Sequence, residues 1–224
     1  MVRKACRLVL NTAMAVAVSA CATTDVDTPL AAPPPIDRPI FTAGDRWVFA
    51  GRSGARREIV YQGRRNDALV FRLTGAPPAG SRRPTTVEEL RSIDLARITG
   101  TAQFTGAAIE YRPDDGALRF PLAVGNSWRH SYVRVIRRAV PPVPPEEEMI
   151  VEATVKAYEH ITVPGGSFAA FRIESTTKSV GDTAPPLSAT YWYAPAAKVV
   201  IKYQAETRGL RIEGDALSEY ELKP

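Results

Sequence analysis

Cysteine is nearly missing: the 224 residues hold two, Cys6 and Cys21, both close to the N-terminus. No disulfide can therefore brace anything downstream of Cys21, and no thiolate metal site can form there. Histidine is as scarce, with His130 and His160 alone, and neither has an Asp or Cys nearby to complete a metal set or a triad. No G-x-S-x-G nucleophile turn, phosphate loop or dinucleotide fingerprint occurs. Lysine is absent from Ala22 to Arg138, where 18 arginines carry all the positive charge. Long hydrophobic runs are lacking too. The N-terminal run from Leu8 to Val18 is broken by Asn11 and Thr12 and falls short of the roughly 20 apolar residues that span a bilayer.

That short run does have the form of an address. Arg3, Lys4 and Arg7 precede it without any acid, and Val18-Ser19-Ala20-Cys21 follows. A positive segment followed by a short apolar one is the pattern of an export signal. The four residues ending at Cys21 resemble the lipobox of bacterial lipoproteins, with an aliphatic residue three before the cysteine and small residues between. The resemblance implies a signal peptide over residues 1–20, cleavage ahead of Cys21 and a lipid anchor, palmitate among its acyl chains, on the Cys21 thiol. Ordinary cleavage after Ala20 is the competing reading, because Val-x-Ala suits that peptidase as well. One acyl chain binds a membrane marginally, at about 0.8 kcal/mol per buried methylene, so a lasting anchor implies two or three. Ala22, where Asp would favour the inner membrane, points to the outer membrane facing the periplasm.

Losing Arg3, Lys4 and Arg7 leaves 26 basic against 24 acidic residues, so most of the formal +5 is disposable. The rest is unevenly placed. Ala22 to Arg138 carries 18 arginines and 12 acids, whereas Ala139 to Pro224 carries 8 basic and 12 acidic residues. Such asymmetry suits a solvated face or contact with anionic headgroups or an acidic partner. A near-balanced envelope protein is not expected to bind nucleic acid.

Residues 21–39 read as a lipidated cysteine and proline-rich tether, with Pro29, Pro33, Pro34, Pro35 and Pro39. Fully extended it would reach on the order of 50 Å, at about 3.1 Å per residue. Residues 40–224 then carry strand signals: Trp47-Val48-Phe49, Glu58 to Tyr61, Leu69 to Leu73, Ile109 to Tyr111, Ala117 to Leu122 and Trp128 to Ile136. Met149 to His160, Phe168 to Thr177, Ala189 to Tyr193, Val199 to Glu206 and Leu210 to Leu222 continue the series. Turn residues between them favour antiparallel pairing over βαβ units. The expected fold is mainly β: an antiparallel curved sheet, as a half-barrel or two facing β units, with one short helix. The helix is placed at Thr85-Thr86-Val87-Glu88, which has the form of a capping box, with Val87, Leu90 and Ile93 on one face.

A weak internal repeat accompanies these strands. Gly44-Asp45-Arg46-Trp47 returns as Gly125-Asn126-Ser127-Trp128, Phe71-Arg72-Leu73 as Phe171-Arg172-Ile173, and Tyr111-Arg112-Pro113 as Tyr193-Ala194-Pro195. It suggests two similar units over about residues 40–122 and 123–224. Phe120 to Trp128, Ile161 to Phe168 with its V-P-G-G turn, and Tyr191-Trp192-Tyr193-Ala194-Pro195 together resemble a pattern of uncharacterised exported β-rich bacterial lipoproteins. That resemblance covers Phe120 to Tyr203 and implies a hairpin at Pro164-Gly165 but no catalytic residue. In outline the chain is also similar to lipoprotein-carrier proteins with a half-barrel sheet, a fold-level analogy only.

The candidate chemistry is thin. His130 and His160 read as packed or surface residues, Gly165-Gly166-Ser167 as a hairpin, and Glu146-Glu147-Glu148 as an exposed loop after the Pro141 to Pro145 spacer. The arginine pairs Arg56-Arg57, Arg64-Arg65, Arg82-Arg83 and Arg137-Arg138 cannot present both charges on one strand face. Trp47, Trp128 and Trp192 are core anchors or, together, the lining of a ligand cavity. The sequence therefore points to a non-catalytic, membrane-anchored envelope protein that needs neither cofactor nor metal and binds an apolar ligand or lipid. A structural or protein-interaction role is the alternative, and an envelope hydrolase built on a histidine is the third.

Overall fold

From Arg46 onward, alternating apolar and polar residues drive the chain into strands. The computed structural model describes residues 30–51, 54–75, 84–101, 107–137, 146–181 and 185–224. One sheet contains β1 (Arg46–Ala50), β2 (Arg56–Arg65), β3 (Ala68–Gly75) and β4 (Thr85–Arg91), with the last strand, β13 (Ala216–Glu221), beside β1. The other contains β5 (Thr99–Thr101), β6 (Ala108–Arg112), β7 (Ser127–Ile136) and β8 (Glu146–Val163). It continues with β9 (Gly166–Ser179), β10 (Leu187–Ala194), β11 (Val199–Thr207) and β12 (Leu210–Glu213), and it curls into a half-barrel. Every ladder is antiparallel, consecutive strands within each sheet are neighbours, and the first strand pairs with the last. The β4 edge also meets the second sheet, through an Arg91–Arg97 bridge and an Ile98 N–H donated to the Leu90 carbonyl at 2.7 Å.

The two sheets enclose one main core, in which Trp47 and Phe71 of the first meet Phe171, Ile173 and Tyr193 of the second. Each such side chain contributes about 1.5–3 kcal/mol on burial. The sheets do not divide at residue 122, because β5 and β6 join the second sheet and β13 joins the first.

The repeat has a structural counterpart. Gly44 donates to the Tyr61 carbonyl and Tyr61 donates back to Asp45; Gly125 and Val155 exchange the same pair of bonds through Asn126. Both glycines have φ near +95° (+95 and +93), a conformation open to glycine at little cost. A bulge follows Tyr61 on β2 and Val155 on β8. The tryptophans then cross over: Trp47 Nε1–H donates to Ala197 at 2.7 Å, just after Tyr193-Ala194-Pro195, and Trp128 Nε1–H donates to Gly116 at 2.8 Å, just after Tyr111-Arg112-Pro113. By register, Phe71 faces Tyr61 as Ile173 faces Val155, so the structural match to Phe71 is Ile173, two residues beyond Phe171.

Four expectations change. Thr85 to Arg91 is strand β4, not a helix, because pairing with β3 satisfies its backbone, while Glu88 forks onto Arg65 at 2.6 and 2.8 Å instead of capping Thr85. The single helical element among the described residues is a 3-10 turn at Pro195–Ala197. Ala117 to Leu122 is irregular apart from the Leu122 bridge to Ile36, since the Asp114 and Asp115 carboxylates hold the N–H groups of Gly116 and Ala117 in a turn. Glu146-Glu147-Glu148 opens β8, and Glu147 is buried against Arg134. The tether also docks earlier than residue 40. Leu30 donates to the Tyr158 carbonyl, Ile36 and Leu122 exchange two bonds at 2.9 Å, and Arg38 pairs with Asp94. The Val140 to Pro145 insertion lies outside the described residues.

Candidate binding site

The curled sheet has two unlike faces. On one, Arg129, Glu152, Thr176, Ser188, Glu206 and Arg211 run side by side across six strands. Together with the parallel row from Ser127 to Gln204 they line an open polar trough of about 960 Å³. Its charges are mixed and partly paired, Arg129 with Glu152 at 2.6 Å among them.

The opposite face meets the first sheet. Here Val155, Ile173, Tyr191 and Tyr203 form one row, and Ala153, Ser175, Ala189 and Ala205 form the next. The side chains of that second row are small and buried. Across the gap, the inner face of the first sheet carries charge as well as hydrophobes. Arg57 lies opposite Phe49, and Glu89 opposite the buried Phe71. Arg91 stacks over the Phe71 ring at 4.7 Å and grips Glu89 at 2.6 Å. Arg97, reached just before β5, bonds Asp115 through Nε at 2.7 Å and lies over the Tyr111 ring at 5.3 Å.

Two tyrosine pairs lie within the electrostatic reach of Arg97. Tyr111 meets Tyr132 edge-on at 5.9 Å, and Tyr191 lies 5.2 Å from Tyr203. The charge of Arg97 reaches the hydroxyls of all four. Burial pushes all four hydroxyls above the ordinary tyrosine range, Tyr132 and Tyr191 furthest. Burial also weakens the proton affinity of Arg97, but Asp115, Tyr111 and Glu89 outweigh it and leave that guanidinium raised. Arg57 goes the other way: burial lowers it, Arg91 and Arg97 add to the effect, and Asp215 and Glu89 only partly offset it. Yet the side chains of Arg97 and Arg57 are 45% and 44% exposed. Exposed guanidinium donors lying over aromatic faces can hold the polar end of a small molecule.

The three tryptophans do not line a common cavity. Trp47 is fully buried and its N–H is used inside the core. Trp192 is buried with its N–H on Glu159 at 2.8 Å and Lys202 4.9 Å over its ring. Trp128 is half-buried and borders the outer trough. His130 Nδ1 accepts from Arg119 at 3.2 Å and its Nε2–H donates to the Asp114 carbonyl at 2.9 Å, whereas His160 is exposed on β8. No group of three metal-ligating side chains occurs among the described residues. Cys21, Arg82-Arg83 and Arg138 lie outside those residues. No motif marks Arg97, Tyr132 or Tyr203; Tyr111 belongs to the repeat and Tyr191 to the Tyr-Trp-Tyr-Ala-Pro motif, but neither motif singles them out as site residues. The alternation of Tyr191 and Tyr203 with polar neighbours was the one available signal, and it tells the face but not what stands opposite. Compared with known protein families, curated proteins and solved structures, the chain matches none.

Proposed function

We propose that this chain is a lipid-anchored protein of the bacterial envelope that works by binding, not catalysis, and that its ligand is an amphiphile held between the two sheets. The anchor reading rests on the export signal and on Cys21. The ligand reading rests on the inner side of the curled sheet, where Tyr191 and Tyr203 pack ring to ring beside the small Ala189 and Ala205, and on Arg57 and Arg97, 44% and 45% exposed over the Phe49 and Tyr111 rings. Apolar rows and open cationic groups over aromatic rings suit a ligand with both apolar and polar parts. Native mass spectrometry of the protein extracted gently from its membrane tests this. An adduct beyond the mass of the covalent lipid is expected; the lipidated mass alone, under conditions that preserve known lipid complexes, contradicts it.

A second reading draws on the outer trough. Its open form, mixed charge and ladder of hydroxyl and amide groups suit a polar protein partner better than an apolar ligand. Charge reversal at Arg129 and Glu206 that leaves every envelope crosslink unchanged would count against it.

A further inference from the structure

We propose that the free edge of β4 is a docking site for an extended peptide segment of a partner protein, added to the first sheet as a further strand. This surface lies at the seam between the sheets, apart from the ligand site proposed above, and does not depend on it.

β4 ends the first sheet and β5 ends the second. The two run together only briefly. Ile98 donates its N–H to the Leu90 carbonyl at 2.7 Å but gives its own carbonyl to the Tyr111 N–H of β6 at 2.8 Å, so the chain turns from β4 towards β6 there. The Leu90 N–H is met by the Thr99 hydroxyl at 2.8 Å, in place of a strand carbonyl. Leu90 thus points its N–H and carbonyl away from β3, and the period-2 geometry of a strand turns those of Thr86 and Glu88 the same way. Among the described residues, no strand lies on that side of Thr86 and Glu88 to pair with them.

Where β4 and β5 part lies a cleft of about 480 Å³, with Val87, Leu90, Gly100, Ala108 and Ile109 on its walls. The charged groups on its rim are already matched. Glu88 is forked by Arg65 at 2.6 and 2.8 Å, and Glu110 holds Arg112 at 2.8 Å and Arg137 at 2.7 Å. A neutral occupant is therefore complementary to the rim. Open backbone groups alternating along a strand edge call for another extended backbone. On an added strand, the residues opposite Thr86 and Glu88 aim their N–H and carbonyl groups at β4. They also share the face of Glu88 and Leu90, both of which line the cleft, so their side chains are the ones to be apolar.

Titration of the full chain with a seven-residue peptide, alternating valine and threonine between terminal lysines, tests the edge by amide NMR and hydrogen exchange. Slowed exchange of the Thr86 and Glu88 amides is expected on binding. Methylating the valine amides, which meet β4, should weaken binding at least about tenfold, while methylating the threonine amides, which point away, should leave it within about twofold. Glu88→Pro removes one outward N–H and no bond to β3, and should also lose at least about tenfold. If that variant does not fold, the two methylated peptides decide. Equal binding by both methylated peptides overturns the added strand, as does protection confined to the β12 edge. Thr86 and Glu88 amides already protected in the free protein mean that the chain covers its own edge, which overturns the proposal. No binding of the unmodified peptide at millimolar concentration overturns it as well.

Discussion

Asp45 is fully buried and ties three parts of the chain together, so its removal should be the most damaging single change outside the apolar core. Its carboxylate accepts from the Thr42 N–H at 3.1 Å, from the Lys223 N–H at 2.7 Å and from Lys198 Nζ at 3.2 Å. It therefore holds the entry to β1, the C-terminal segment and the turn between β10 and β11. Asp45→Ala leaves two backbone donors and an ammonium without their acceptor. Breaking a buried pair of this kind costs about 3–5 kcal/mol, which for a domain of this size lowers Tm by roughly 6–20 °C. Asp45→Asn keeps one acceptor oxygen, and the repeat itself places Asn126 at the matching position; its cost should be about half. Lys198 is 23% exposed, so screening should hold its coupling to Asp45, read from a double-mutant cycle with Lys198→Met, to about 1–2 kcal/mol. Urea unfolding followed by tryptophan fluorescence measures the parent and its four variants. An Asp45→Ala variant within about 0.5 kcal/mol of the parent would refute the reasoning, because no other group is placed to take over these donors.

Trp47→Phe should destabilise more than Trp128→Phe, by about 1–3 kcal/mol, because Trp47 bonds Ala197 in a closed core while water can replace Trp128 at Gly116; chemical denaturation compares them. Gly214→Ala should displace Tyr203, since a Cβ would lie 2.7 Å from the Tyr203 ring and 3.0 Å from its carbonyl; a lower Tm together with a changed Tyr203 ring signal is the expected result. Six of the eight tyrosines, Tyr61, Tyr111, Tyr132, Tyr191, Tyr193 and Tyr203, have hydroxyls raised by burial. A raised acid favours the folded state below the unfolded tyrosine value of about 10 and withdraws that stability as pH climbs through the folded values. Absorbance at high pH should therefore show most tyrosine ionisation delayed and coincident with unfolding. Cys21→Ser should move the protein from the membrane to the soluble fraction, read by fractionation and acyl labelling.

The strand content was legible because alternation is local. Glu58 to Tyr61, Leu69 to Leu73 and Trp128 to Ile136 all appear as strands with turns of the expected kind between them. Thr85 to Arg91 was not, because its inward positions include Glu89 and Arg91. Charged residues on an inner face destroy the period-2 pattern, and Val87 and Leu90 then mimic a helical spacing. Ala117 to Leu122 failed for a different reason: its apolar residues are buried, but two aspartates upstream fix its backbone in a turn. The candidate site residues were hidden for a third. Arg57 and Tyr203 belong to different sheets and are far apart in sequence, so no local pattern relates them.

Crosslinking with a diazirine-bearing fatty acid, followed by peptide mapping, tests the central claim most directly. Labels on the inner rows around Tyr191, Tyr203 and Ala205, lost when excess decanoate competes, are the predicted result. Labels confined to Thr176, Thr190 and Gln204 in the outer trough, or spread without competition, would contradict a ligand site between the sheets.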